Sequence, residues 1–359
     1  CVHHPEFPER VVIDHANIKL RRGEVVGLAG LMGAGRTEFA MSLFGKSYGC
    51  HISGKVRKGG KEIDTSTVPK AIENGLAYLP EDRKSCGLVL GETISQILAD
   101  DPRAVYLDAD LMSCIGTAKL PGKTERAIDC GIAEANMIGI ACGLSAVGMH
   151  PIAHTFGPFA SRRCFDQIFL SGGYAKNSVT VIGTDPGVTA AFNGGTHMPF
   201  EDMALYRTIP DAIVVDVTDV SMIVSFLRQF QSVRGVKYLR VGRKESYPVY
   251  PADYDFQIGK GAVLRTGSDA VIVASGIMVH EALQAAEELE RAGISAAVID
   301  PVTVKPLDEA LIRSWAKKTG IVVTAENHNR IGGLTSAVQA AVCGMPLRFG
   351  VVAVEDCFG

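Results

Sequence analysis

Gly30, Gly33 and Gly35 are followed at once by Arg36 and Thr37 in the run GLMGAGRT. This G-x-x-x-x-G-[KR]-[ST] spacing falls between a short apolar strand, Val25–Ala29, and a helix running to about Phe44. A phosphate loop needs that setting: glycines let backbone amides point at an anion, and the helix N-terminus adds a favourable dipole. The basic position holds Arg36, whose planar fork does not replace a compact ammonium. A second chemical candidate is Glu134, set in the apolar, small-residue stretch GIAEANMIGIACG. Taken alone, a solvated helix glutamate is the better reading of it. The nine cysteines form no C-x-x-C pair and no Cys/His spacing typical of a metal site. They read as buried free thiols in a reducing cytoplasm.

The elements that must position these residues follow from periodicity. Residues 11–20 alternate as an exposed strand, and a short helix is expected near Pro69–Asn74, ahead of the strand LAYLP. From Gly91 the texture becomes a regular alternation of strands and helices. Strands are expected at 104–108, 178–183, 212–216 and 237–241, with a long helix around 125–147. The Pro- and Tyr-rich segment 246–256 reads as a linker. Beyond it come AVIVAS, an amphipathic helix with Leu283, Ala286 and Leu289 on one face, then SAAVID, IVVTAE and LRFGVVAV. Strands separated by helices predict an α/β fold with mainly parallel sheets covered on both faces. A formal net charge of −3 gives no reason to expect nucleic-acid binding. The apolar run Met137–Met149 is too short to span a bilayer.

The stretches GEVVGLAGLMGAGRTE, ISGKV and GLAYLPEDRKSCGLVL resemble the second ATP-binding half of sugar-importing ABC transporter ATPases. Residues 1–90 then form a partial nucleotide-binding fragment, with the resemblance running over 11–90. The catalytic parts of such an ATPase do not follow. Leu170-Ser171-Gly172-Gly173 copies its signature tetrapeptide, but no strand ending in Asp-Glu comes after it. A vestigial P-loop without ATPase activity is therefore expected.

From Gly91 onward the chain resembles the C-terminal half of transketolase, best fitted by the C-terminal subunit of two-chain transketolases. The motifs are RAIDCGIAEANMIGIACGLSAVG, GTDPGVTAAFNGGTHMPFEDMALYR, YLRVGR, VIVASGIMVHEAL, VIDPVTVKPLD and TAENHNRIGGLTSAV. The resemblance implies a thiamine-diphosphate pyrimidine-binding domain over 91–248 and a transketolase C-terminal domain over 249–359, truncated at its end. It assigns Glu134 as the catalytic glutamate, hydrogen-bonded to the cofactor's pyrimidine. Phe156 and Phe159 become the aromatic pyrimidine pocket, and Asp110 an acidic residue beside the cofactor at a subunit interface. His197 becomes the substrate histidine that binds sugar hydroxyls and shuttles protons. Ser113 and Asn193 join the substrate set, and Arg243 is given the sugar phosphate. The family commonly has Asp where this chain has Asn193, which leaves the donor sugar open and keeps 1-deoxyxylulose-5-phosphate synthase chemistry as an alternative.

The resemblance also implies partners. No G-D-G diphosphate motif occurs in the chain. Diphosphate and magnesium ligands are then expected from an N-terminal transketolase subunit, with homodimerisation through the pyrimidine and C-terminal domains. Sugar phosphates are the implied substrates, with no nucleic acid and no direct membrane insertion. The two resemblances meet near Leu88–Ile94 with no linker between them. A cytoplasmic half-enzyme, an ABC transporter ATP-binding subunit and a non-functional chimera are the readings carried forward.

Overall fold

The computed structural model describes residues 1–4, 9–24, 26, 36–46, 48–76, 85–243, 247–251 and 253–359. It divides into two compact units, Cys1–Arg83 and Lys84–Gly359.

The first unit is built from short pieces. Strands β1 (Val2–His3) and β2 (Val11–Ile13) pair antiparallel, helix α1 covers Arg36–Leu43, and β3 (Val56–Lys58) pairs antiparallel with β4 (Lys61–Ile63) before helix α2 (Val68–Glu73). The β3–β4 turn is Gly59-Gly60, both at positive φ, as a two-residue hairpin of matching twist requires. The strand expected over 11–20 keeps only its first three residues. The Gly30, Gly33 and Gly35 loop and most of Val25–Ala29 lie outside the described residues. Arg36 and Thr37 open α1.

The second unit begins with α3 (Ser85–Asp100), one unbroken helix through the point where the two sequence resemblances meet. Then follow β5 (Ala104–Asp108), β6 (Ala127–Asp129), α4 (Glu134–Ala146), β7 (His150–Phe156), the short α5 (Gly157–Ala160) and α6 (Phe165–Gln167), and β8 (Val179–Thr184). Helix α7 (Asp202–Thr208), β9 (Ile213–Asp216), α8 (Val220–Phe230) and β10 (Val236–Val241) complete a six-stranded sheet in the order β6-β5-β7-β8-β10-β9. Every pairing in it is parallel. Strands β5, β8, β9 and β10 are buried along their whole length, as continuous apolar runs in a two-sided sheet should be.

A second sheet has the order β11-β13-β12-β14-β15, from β11 (Ala262–Arg265), β12 (Ala270–Ala274), β13 (Ala296–Asp300), β14 (Ile321–Asn329) and β15 (Arg348–Val354). Only β11 runs antiparallel. Helices α9 (Met278–Arg291), α10 (Glu309–Thr319) and α11 (Leu334–Ala341) connect its strands. Asp219 and Asp308 accept backbone N–H bonds at the starts of α8 and α10, and Gly320 ends α10 in the left-handed region.

Three expectations are corrected. The helix expected from about 125 starts at Glu134, because Ala127–Asp129 joins the sheet edge and Gly131 turns at φ +66. The cysteines are free among the described residues, but only Cys142 and Cys164 are buried; burial pushes these thiols up to about 11 and about 12. The linker is tied down: Tyr250 and Phe256 are buried, Tyr250 donates to Asp300 Oδ2 at 2.7 Å, and Asp219 Oδ2 accepts from the amides of Val249 and Tyr250. No helix among the described residues is long and apolar enough to cross a membrane.

Gly91 is where α3 meets the backbone of the next loop. A Cβ there would lie 2.1 Å from the carbonyl oxygen of Ile115. Helix propensity alone makes Gly91→Ala stabilising by about 1 kcal/mol. The clash is with backbone, so we expect net destabilisation of about 1–3 kcal/mol. Urea unfolding followed by the fluorescence of Trp315, the chain's one tryptophan, decides the sign.

Candidate functional site

Strand β7 ends at Phe156 and α5 follows directly, so Phe156 and Phe159 leave the C-terminal edge of the sheet together. That edge is where parallel α/β sheets bind ligands. Gly157 between them has no room for a side chain, since a Cβ would sit 2.7 Å from Pro199 Cγ. Their ring centroids are 6.4 Å apart. His197 closes the group, 6.0 Å from Phe156 and 5.2 Å from Phe159, both edge-on. Pro158, Phe159, Arg162, Arg163, Thr196 and His197 line an open cavity of about 470 Å³.

Glu134 is the first residue of α4 and is 2% exposed. Its Oε1 accepts from Arg163 Nη1 at 3.1 Å, and its Oε2 makes no hydrogen bond among the described residues. The same guanidinium lies 4.1 Å over the Phe159 ring, within cation–π range. Arg163 thus connects the carboxyl to the aromatic wall.

His197 is presented by the segment between β8 and α7, which is fixed at several points. Asn327 in β14 accepts from Val188 N at 3.0 Å and donates to Pro186 O at 3.1 Å. Gly187 N donates to Pro199 O at 3.2 Å. Gly187 sits at φ +54 with Asn327 Oδ1 only 2.2 Å from a built Cβ, so only glycine fits. His197 Nδ1 is 3.0 Å from Thr196 Oγ1, which leaves Nε2 as its working nitrogen.

The remaining expected residues divide. Asp110 is exposed at the end of β5, held at φ +62, with its amide on Asp129 Oδ1 at 3.0 Å. Ser113 is exposed on the 3₁₀ turn Met112–Cys114. Asn193 is exposed and makes no side-chain hydrogen bond among the described residues, so no contact draws it into the aromatic group. Arg243 does join it, 4.8 Å over the Phe156 ring. Its fork, however, is on Asp185 rather than open to the cavity: Nε donates to Oδ1 at 3.0 Å and Nη2 to Oδ2. Sequence reading missed Arg163 and Asp185. Arg163 stands four residues after Phe159, a helical spacing that pairs side chains; nothing local marked Asp185. The tetrapeptide Leu170–Gly173 lies in a π-helical turn, Ile168–Tyr174, as part of this unit.

One cluster was not anticipated. Cys1, Asp14 and His15 bring three potential metal-ligand atoms within 4.8 Å of one another in the N-terminal unit. The side chains are largely exposed.

Comparison with known proteins places this geometry. The family described as transketolase, pyrimidine binding domain, matches residues 83–247, and transketolase, C-terminal domain, matches 259–355. The 6-deoxy-6-sulfo-D-fructose transketolase subunit of a Clostridium species is 47% identical over 266 residues, covering 72% of this chain and 81% of that protein. A putative transketolase C-terminal section of Methanocaldococcus jannaschii is 36% identical over 274 residues, covering 75% and 86%. A solved structure described as a split gene transketolase, inactive beta4 tetramer, superposes with a TM-score of 0.70 at 38% identity, over 76% of this chain and 89% of that one. Mouse transketolase is 34% identical, but this chain spans only 42% of it. These comparisons give no evidence for an ATPase fragment over residues 11–90 or for a chimera.

Proposed function

The chain belongs to the transketolase family, and from that membership we propose that it is the pyrimidine-binding and C-terminal subunit of a two-chain, thiamine-diphosphate-dependent transketolase. It would transfer a two-carbon ketol unit between sugars with an anionic end. The observation that carries this reading is the free Oε2 of buried Glu134, at the edge of the Phe156, Phe159 and His197 wall. A buried carboxyl beside a flat aromatic slot fits the pyrimidine end of the cofactor. The cofactor, when bound, supplies the nucleophilic carbon and the electron sink for the cleavage.

The chain's own residues then divide the work. Glu134 Oε2 would hold a proton against the pyrimidine's ring nitrogen, while Arg163 keeps Oε1 in place. Phe156 and Phe159 would pack the ring's faces and exclude water. His197 would hydrogen-bond a sugar hydroxyl and move its proton through Nε2, work that suits an imidazole. Ser113, on the turn after β5, and Asn193, on the segment between β8 and α7, are both exposed and would meet the sugar. Asp110 would lie near the cofactor at a subunit boundary. Diphosphate and magnesium ligands would come from an N-terminal subunit.

Helix α4 supports assembly as well. It leaves Ile140 exposed beside Gly139 and Gly143, with Val147 exposed just past its C-terminal end. That face would suit a second copy of the chain. The sugar is either a ketose phosphate or, given the 47% identical relative, a sulfonated ketose. Asn193 leaves the donor open and so also keeps 1-deoxyxylulose-5-phosphate synthase chemistry as an alternative.

The test is reconstitution. The chain alone is expected to bind thiamine diphosphate weakly and to show no ketol transfer, because an open half-site orders a ligand without enclosing it. Adding a G-D-G-bearing N-terminal subunit with magnesium is expected to give both tight binding and transfer. Calorimetry and a ketol-transfer assay read the two. Micromolar binding and turnover by the isolated chain would overturn the partner requirement. Absence of transfer with every ketose donor would overturn the function.

A further inference from the structure

Three arginines line the wall around Phe156, Phe159 and His197, and each already has a carboxylate partner. Arg163 is on Glu134 at 3.1 Å, and Arg162 Nε is 2.9 Å from Glu201 Oε1. Arg243 is on Asp185 through two of its three fork nitrogens. With Glu134 holding its proton, Arg163 keeps its charge, whereas Glu201 and Asp185 cancel those of Arg162 and Arg243.

The third pair is the least adaptable. Asp185 is buried, and its side chain is 4% exposed against 17% for Arg243. Its backbone sits at φ +56, a left-handed conformation that Asp and Asn adopt more readily than most residues. Its amide donates to Val241 O at 3.0 Å. The two residues that follow, Pro186 and Gly187, are pinned by Asn327 and by Pro199 O as described above. The carboxylate therefore has no route away from Arg243. The pair also belongs to the site, because the guanidinium covers the face of Phe156 whose ring meets His197.

Resting on the proposed ketol transfer, we propose that Asp185 is a specificity-determining residue. By holding Arg243 in a fixed neutral pair, it makes this site favour a sugar ending in a monoanionic sulfonate over one ending in a phosphate dianion. A dianion approaching Arg243 meets its attraction already cancelled and the Asp185 charge opposing it. A monoanion of similar shape meets about half that opposition and can still take a hydrogen bond from the guanidinium. Like charges brought together at a recognition site act mainly as a filter against the wrong ligand.

Methyl phosphate and methanesulfonate are suitable probes, being alike in shape and different in charge. At about pH 8 a phosphate monoester carries close to two charges. The full chain is titrated with each while the Arg243 Nε–Hε resonance is followed, in the wild type and in Asp185→Asn. Asparagine keeps the volume and tolerates the backbone conformation. The wild type is expected to bind methanesulfonate at least as tightly as methyl phosphate. Asp185→Asn is expected to tighten methyl phosphate at least about tenfold, with a smaller change for methanesulfonate. Arg243→Gln is the second variant; it leaves Asp185 unpaired and is expected to weaken methyl phosphate more than methanesulfonate, read by competition.

With the N-terminal subunit added, the kcat/KM ratio for 6-phosphate against 6-deoxy-6-sulfo ketose donors is expected to move toward phosphate by a similar factor in Asp185→Asn. A wild-type preference for methyl phosphate, a ratio unmoved by Asp185→Asn, or no perturbation of Arg243 by either anion overturns the proposal. If the reconstituted enzyme transfers no ketol unit, the functional reading fails, and the anion titration still decides what Asp185 does.

Discussion

Replacing Glu134 with glutamine is expected to lower turnover of the reconstituted enzyme at least about a hundredfold, the lower end of what a positioned acid–base group contributes. The substitution is nearly isosteric, and the amide oxygen can still accept from Arg163 as Oε1 does at 3.1 Å. The fold and the Arg163 contact to Phe159 should therefore survive. The second position changes: an NH₂ that only donates replaces an oxygen that can hold or accept a proton. The loss should appear in kcat more than in cofactor affinity, because the aromatic walls that hold the ring are untouched. Arg163→Met is the informative control. It removes the partner of Oε1 and leaves Oε2 in place, so a smaller loss is expected. A near-normal rate for Glu134→Gln would show that the proton is held elsewhere.

That expectation was partly legible in the sequence, and where it was not the reasons are physical. Buried parallel strands such as Ala104–Asp108 read plainly because both faces demand apolar residues. Phe156, Phe159 and His197 lie together because Phe156 ends β7, Phe159 follows it, and His197 lies on the segment after β8 of the same sheet. Glu134 was placed inside a long helix, since the small apolar residues before it give no period that separates strand from helix. The turn at Gly131 decided it. Arg243 was assigned to a substrate anion because a sequence shows a guanidinium without its partner. Asp185 lies 58 residues away and is brought alongside by the register Val241↔Thr184 between β10 and β8. Ion pairs of that kind are products of strand order, which periodicity does not contain. Over residues 11–90 the motif similarity was stronger than anything the fold or the comparisons support.

Strand order also creates the interaction whose loss should cost most in stability. Arg240 is 1% exposed and donates to three acceptors: Asp202 Oδ2 at 2.8 Å, Asp216 Oδ1 at 3.2 Å and the Asn327 carbonyl at 2.7 Å. Asp216 is its direct neighbour in the β10–β9 register and also accepts from Ser275 Oγ at 2.8 Å. Asp202 also accepts from Tyr238 Oη at 2.8 Å. Arg240→Met keeps much of the volume but leaves two buried carboxylates without their cation. We expect a loss of about 3–5 kcal/mol near neutral pH, the range for removing one partner of a buried pair. Removing one of the two uncompensated charges with Asp202→Asn in the same chain should recover part of it.

The pH dependence has a definite sign. Burial is the largest single influence on the Asp202 carboxyl and raises it, but Arg240, His328 and the Tyr238 hydroxyl together hold it below its usual value. In the native chain it therefore contributes stability that is present above the unfolded carboxylate range and lost as pH falls through the lowered value. Burial already holds Asp216 above its usual value in the native chain; without Arg240 it would rise further, and burial would dominate at Asp202 as well. Their contribution would then be present at acid pH and lost as pH rises. The gap between the native chain and Arg240→Met should narrow steadily from neutral pH toward about pH 4, near the unfolded aspartate value. Denaturant midpoints read from Trp315 at several pH values test this. A gap that stays constant would mean that the variant loses packing around Arg240 rather than a charge partner. Because Asn327 both accepts from Arg240 and pins Pro186 and Val188, Arg240→Met should also loosen the segment that carries His197, and amide exchange at Val188 should report that loosening before the chain unfolds.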